Sequence, residues 1–162
     1  MQARHAAPHA DWNEAEVRRT AEGLAHLDGP LLPILHAINE RFGFVDARAV
    51  PVIADVLNLS RADVHGVVSF YHDFRAAPPG RHVVKLCRAE ACQAMGGDRL
   101  AAELESALGI ALGATTPDNR VTLAPVYCLG NCALSPAALI DGKLHGRVSA
   151  AKALSLVRDA AR

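Results

Sequence analysis

The chain has 162 residues, 51% of them hydrophobic and 21% charged, which is the balance of a folded protein and not of a disordered one. Its 17 Lys and Arg offset 17 Asp and Glu, so no charge excess tracks a phosphate backbone, and nucleic-acid binding is disfavoured. A net charge of zero also provides little mutual repulsion, which suits a subunit held among partners better than a free carrier.

Residues 1–12 read as a loose tail of Ala, His and Pro, and Met1–Glu14 carries no apolar run of the kind a signal peptide needs. No apolar stretch is long enough to span a bilayer, so direct membrane contact is not expected and a cytoplasmic, reducing location is. Helical periodicity then begins. Leu31, Ile34, Leu35, Ile38 and Phe42 recur at steps of three and four, one apolar face of a helix that Gly43 should end. Val52, Ile53, Val56 and Leu57 mark a second short helix, with Pro51 tolerated near its first turn. Ser60 and Asp63 form a capping pair ahead of Val64, Val67, Val68 and Tyr71 on one face. About four helices over residues 13–77 make a small bundle.

The segment Ala76–Arg81 holds two prolines and a glycine and breaks the pattern. A β-rich run, His82–Leu86, ends at Cys87. Leu100, Leu104 and Leu108 mark a helix over about residues 97–109, and Val121–Val126 is a second strand ending just before Cys128. Ala137–Ile140 and Lys143–Gly146 flank Asp141-Gly142, a strong two-residue hairpin signal. Ser149 can cap a last helix bearing Ala150, Ala153, Leu154, Val157 and Ala161 on one side. The expected fold class is α/β, a helical bundle followed by an α/β layer over residues 78–162. Residues 1–77 carry seven Arg and ten acids and the rest ten Lys or Arg and seven acids, a split of the size chance produces.

The four cysteines carry the chemistry. Their spacing is C-x4-C at Cys87 and Cys92, 35 intervening residues, then C-x3-C at Cys128 and Cys132. Both pairs follow predicted strands, and strand ends that share a sheet edge bring two loops side by side. Two loops with two thiols each can supply the four thiolates of a [2Fe–2S] cluster, two per tetrahedral iron. Ala89, Ala91, Gly130 and Asn131 are small or turn-prone and let backbone N–H groups approach sulfur, with Gly130 and Asn131 suited to positive φ. The same spacings serve a zinc site. Two disulfides fit poorly with a reducing compartment, and a thiol oxidoreductase would want C-x-x-C. Spacing alone leaves iron–sulfur and zinc open.

Other residues fall to plainer roles. His72 and Asp73 are adjacent on an expected helix and point apart, so they do not form an acid–base pair. Eight histidines show no metal-binding spacing. Met95 is expected to pack near a helix start. Lys85 and Arg88 neighbour a cysteine and are read as solvated side chains. No GxGxxG or P-loop is present.

The segments Leu31–Val45 (LLPILHAINERFGFV), Gly66–Phe74 (GVVSFYHDF), Cys87–Gly97 (CRAEACQAMGG) and Cys128–Pro136 (CLGNCALSP) resemble a known family, the thioredoxin-like [2Fe–2S] subunit family that includes the 24-kilodalton subunit of complex I. The same family occurs in NAD-reducing hydrogenases and NAD-dependent formate dehydrogenases, and SFYHDF and LCRAEACQ most resemble the γ subunit of the soluble molybdenum-containing formate dehydrogenase. The resemblance runs from about Glu14 to Leu156. It implies a thioredoxin-like [2Fe–2S] domain after the bundle and one cluster held by Cys87, Cys92, Cys128 and Cys132. It also implies an electron-transfer role without catalytic residues of its own. The implied partners are a flavoprotein binding FMN, NAD and a [4Fe–4S] cluster, and a catalytic subunit carrying further clusters and the molybdenum cofactor. Pro136 corresponds to the proline that precedes this strand in thioredoxin folds. The alternatives are the equivalent subunit of complex I or of an NAD-reducing hydrogenase and, in another class, a zinc-stapled interaction module.

Overall fold

The computed structural model describes residues 11–160, so most of the expected tail and Ala161 of the last helix lie outside the described residues. Two compact units divide between Pro78 and Pro79. No helix among the described residues is long and apolar enough to cross a membrane.

The first unit is helical: α1 (Glu14–Leu24), α2 (Leu31–Phe42), α3 (Ala49–Leu57) and α4 (Arg61–Phe70). Each boundary has a local cause. Asn13 caps α1 by accepting from the Glu16 N–H at 3.0 Å. Gly43 ends α2 in the left-handed region at φ 79°, where a side chain is disfavoured. Pro51 falls in the first turn of α3, where its missing N–H leaves no intrahelical bond unmade. Ser60 and Asp63 make a reciprocal capping box: the Ser60 hydroxyl accepts from the Asp63 N–H at 3.1 Å and the Asp63 carboxylate accepts from the Ser60 N–H at 3.3 Å. The apolar stripes converge on one core of Val17, Ile34, Leu35, Ile38, Phe42, Ile53 and Val64.

Helix α4 stops one residue short of the sequence expectation. Tyr71 is its extended C-cap, exposed, and His72 and Asp73 lie in the turn that follows, where the Phe74 N–H returns to the Tyr71 carbonyl at 2.9 Å. Phe74 is buried and pulls the chain out of helix, and Tyr71 stacks edge-on against Phe70.

The second unit runs β1 (His82–Cys87), α5 (Glu90–Ala94), α6 (Gly97–Leu108), β2 (Val121–Val126), β3 (Ala138–Ile140), β4 (Lys143–His145) and α7 (Ala150–Ala160). The sheet order is β2-β1-β3-β4. Strand β1 is parallel to β2, in register from His82 opposite Val121 to Cys87 opposite Val126, and antiparallel to β3. The β3–β4 turn puts Asp141 at φ 47° and Gly142 at φ 78°, the two positive values that a tight Asp-Gly hairpin uses. Leu86, Leu104, Leu123, Ala138, Ile140 and Val157 form the core between sheet and helices.

One polar anchor leaves no signal in the sequence. His82 is 5% exposed, and its Nδ1 lies 2.8 Å from the Asp141 carboxylate, which also accepts from the Val83 N–H at 2.8 Å. The hairpin turn is thereby tied to the start of β1, while Cys87 lies at the other end of that strand. Buried polar groups need such partners to offset desolvation.

Candidate metal centre

Because β1 and β2 are parallel and in register, their C-terminal ends emerge on one sheet edge. Cys87 closes β1 and is buried. Its N–H donates to the Ala137 carbonyl at 3.0 Å, and the Arg88 N–H donates to the Val126 carbonyl at 2.8 Å. The loop after β1 is thus laced to the end of β2 and to the approach to β3.

After β2 the chain turns sharply. Cys128 takes φ 67° and Gly130 φ 72°, while Asn131 takes φ −106°. The left-handed position expected at Asn131 therefore belongs to Cys128 itself, a conformation that costs a non-glycine residue energy. The turn brings the Gly130 N–H within 3.4 Å of the Cys128 sulfur and sets the Cys128 and Cys132 sulfurs 3.9 Å apart. Two thiolates on one tetrahedral metal with bonds of ~2.3 Å stand about 3.8 Å apart, whereas a disulfide closes to ~2.05 Å. All four cysteines are free.

Cys92 lies in α5, a single turn that sequence periodicity did not show. Gly97 packs directly on it: a Cβ at that position would stand 2.6 Å from the Cys92 carbonyl oxygen, so the start of α6 requires glycine for contact with this turn. Cys87 and Cys92 share a buried pocket with Ala137, bordered by Ala89, Val126 and Leu129. Ser135, also buried, places its hydroxyl 3.5 Å from the Cys92 sulfur and precedes Pro136 through a cis peptide bond.

Each pair influences the other electrostatically. Burial pushes the Cys87 thiol up. The Ala89 N–H, the Cys92 thiol and the N–H groups of Cys128 and Leu129 outweigh it and hold Cys87 below the usual thiol range. Cys132 is pushed up, first by its hydrogen bond and charge interaction with Cys128, then by burial and the nearby sulfurs of Cys92 and Cys87. The amides of the loop after β2 thus favour the thiolate of Cys87, and the other three sulfurs disfavour that of Cys132. Four thiolates so gathered repel unless a cationic core lies between them, and amides aimed at sulfur stabilise the negative charge of such a group. Among the described residues no three His, Cys, Asp or Glu close on a single ion. A two-iron cluster does not ask for that, since each iron takes only two protein sulfurs. The donor set, its pairing and its amides fit a [2Fe–2S] cluster.

Arg88 is not the solvated side chain expected. It donates to the Gly97 carbonyl at 3.2 Å and pairs with Asp98 at 2.7 Å, while the Gln93 side chain donates to the Arg88 carbonyl at 2.7 Å. Its charge is matched by Asp98, and its effect is to fasten the residue after Cys87 to the first turn of α6. Met95, expected to pack, is 63% exposed as the C-cap of α5. Cys128, Cys132, Tyr127 and Leu134 are also exposed, so one pair of thiols is buried and the other faces outward beside apolar side chains.

The model of the thioredoxin-like [2Fe–2S] ferredoxin family matches residues 17–161. A subunit of the NADH-quinone oxidoreductase of Pseudomonas aeruginosa is 37% identical over 139 residues, covering 84% of each chain. A subunit of the NADP-reducing hydrogenase of Solidesulfovibrio fructosivorans is 33% identical over 134 residues, covering 83% of this chain and 78% of that one. Among solved structures, a chain of an air-oxidized NAD⁺-reducing [NiFe]-hydrogenase superposes with a TM-score of 0.67 at 29% identity. That match covers 80% of this chain, which spans only 22% of the hydrogenase chain.

Proposed function

We propose that this chain, which belongs to the thioredoxin-like [2Fe–2S] ferredoxin family, is the electron-carrying subunit of a cytoplasmic NAD-dependent formate dehydrogenase and holds its cluster on Cys87, Cys92, Cys128 and Cys132. The observation that carries this reading is the convergence of two thiol pairs, from two parallel strand ends, into one amide-lined site.

When bound, the cluster accepts and returns one electron at a time with no proton required. The chain's own residues do the rest. Cys87 and Cys92 anchor the buried side. Amides of Ala89, Cys128, Leu129 and Gly130 stabilise sulfur charge. The exposed Cys128–Cys132 side, flanked by Tyr127 and Leu134, presents the centre to a partner. That partner is a flavoprotein holding FMN, NAD and a [4Fe–4S] cluster, and a further subunit holds the molybdenum cofactor at which formate is oxidised. Membership of a reductase that uses NAD(H) or NADP(H) is supported by the relatives' names. Formate as the donor is supported by Ser69–Phe74 and Leu86–Gln93, which resemble the γ subunit of the molybdenum enzyme.

A second reading, the equivalent subunit of an NADH–quinone oxidoreductase or a hydrogenase, is favoured by those same relatives. Isolation of the native complex through an affinity tag on this chain separates the two. Formate-dependent NAD⁺ reduction by the isolated complex is the expected result. Hydrogen-dependent NAD⁺ reduction, or NADH oxidation by quinone without formate activity, would assign the chain to the second reading.

A further inference from the structure

Ser135 stands between two of the cysteines. Its Oγ is 3.5 Å from the Cys92 sulfur and donates to the Cys132 carbonyl at 2.7 Å, and its own N–H lies 3.3 Å from that same carbonyl. The residue is buried. A hydroxyl has one proton to give and two lone pairs with which to accept. While Cys92 is a thiol, its S–H can donate to Oγ and the hydroxyl can serve the carbonyl. A cysteine that ligates a metal is a thiolate and has lost that proton. The hydroxyl proton is then the only one available between these two side chains, and a charged sulfur is a stronger acceptor than a neutral carbonyl. The carbonyl meanwhile retains the Ser135 N–H.

We infer that, with the cluster in place, the Ser135 hydroxyl turns to donate to the Cys92 sulfur, making Ser135 a positioning residue that raises the reduction potential. The inference rests on the reading of Cys92 as a cluster ligand. Its physical basis is that a donor to a ligating sulfur stabilises the reduced, more negative state over the oxidised one. The amide donors to Cys87 and Cys128 belong to the backbone and survive substitution. Ser135 reaches its sulfur through a side chain and can be removed.

The test is an EPR-monitored redox titration of the full chain, loaded anaerobically with iron and sulfide, as wild type, Ser135→Ala and Ser135→Thr. Ser135→Ala is expected to shift the reduction equilibrium toward the oxidised state about tenfold, a fall of 59 mV for one electron, while Ser135→Thr stays with the wild type. Resonance Raman reads the contact independently of stability. In D2O the loop amides beside the sulfurs exchange in every variant, so the difference is read: the shift of an Fe–S(Cys) stretching band should be larger in wild type and Ser135→Thr than in Ser135→Ala. An Ala variant with an intact cluster, an unchanged potential and an unchanged response to D2O overturns the inference. Should Ser135→Ala take up no cluster, Ser135→Gly, which also lacks the hydroxyl, is compared with the wild type in its place. A wild-type chain that takes up no cluster at all contradicts the reading of the cysteines instead.

Discussion

Replacing Cys92 with alanine is expected to abolish cluster retention while leaving the fold intact. The substitution trims one atom from a small pocket, and Ala137, Ala89 and Leu129 stay in place around it. What it removes is one of only two buried thiols in the group. The loss of bound iron should exceed the roughly 10–100-fold that substitutions beyond the ligands cost in metal affinity. Cys87→Ala should behave alike, as should Cys128→Ala and Cys132→Ala on the exposed side. Iron analysis and visible absorption after anaerobic loading and desalting measure the effect, with circular dichroism reporting the fold. Retention of wild-type iron by any one of the four variants would remove that cysteine from the ligand set.

Leu86→Ala is expected to give a large loss of stability without touching a thiol. Leu86 is fully buried, sits one residue before Cys87, and lies opposite Pro125 of β2 and Ala138 of β3. It therefore packs where three strands meet beneath the sulfur site. Truncation leaves a cavity and forfeits transfer free energy, a cost of about 2–5 kcal/mol. Urea unfolding of the loaded chain should show a lower midpoint for loss of the visible cluster band. An unchanged midpoint would mean that the end of β1 is not held by this core.

How far the sequence led depends on the range of the interaction. The helical unit was legible because its signals are local: the three-and-four spacing of Ile34, Leu35, Ile38 and Phe42, the Gly43 stop and the Ser60–Asp63 box all act within one or two turns. The Asp141-Gly142 hairpin was legible for the same reason. Where Phe74 draws the chain into a core contact, local spacing overran the end of α4 and misplaced Tyr71. Helix α5 was missed because five residues are too few to show a period, yet that turn aims Cys92. At the site, spacing and strand ends named the four cysteines, but not the means that bring them together. The left-handed Cys128, the Gly97 contact and the Ser135 hydroxyl are each set by residues distant in the chain or by backbone shape, and none of them leaves a periodic trace. His82–Asp141 is of that kind too, a partnership 59 residues long. Arg88 shows the converse limit: a charged residue beside Cys87 reads as a solvated side chain, and its actual partner, Asp98, lies on α6.

Cys87, Cys92, Cys128 and Cys132 are proposed to hold one [2Fe–2S] cluster. Iron and acid-labile sulfide determination on the full chain purified without oxygen, combined with EPR after dithionite reduction, tests it most directly. About two irons and two sulfides per chain are expected, with one paramagnetic signal from a single added electron. A colourless chain holding one tightly bound zinc, with no sulfide and no signal, would contradict it.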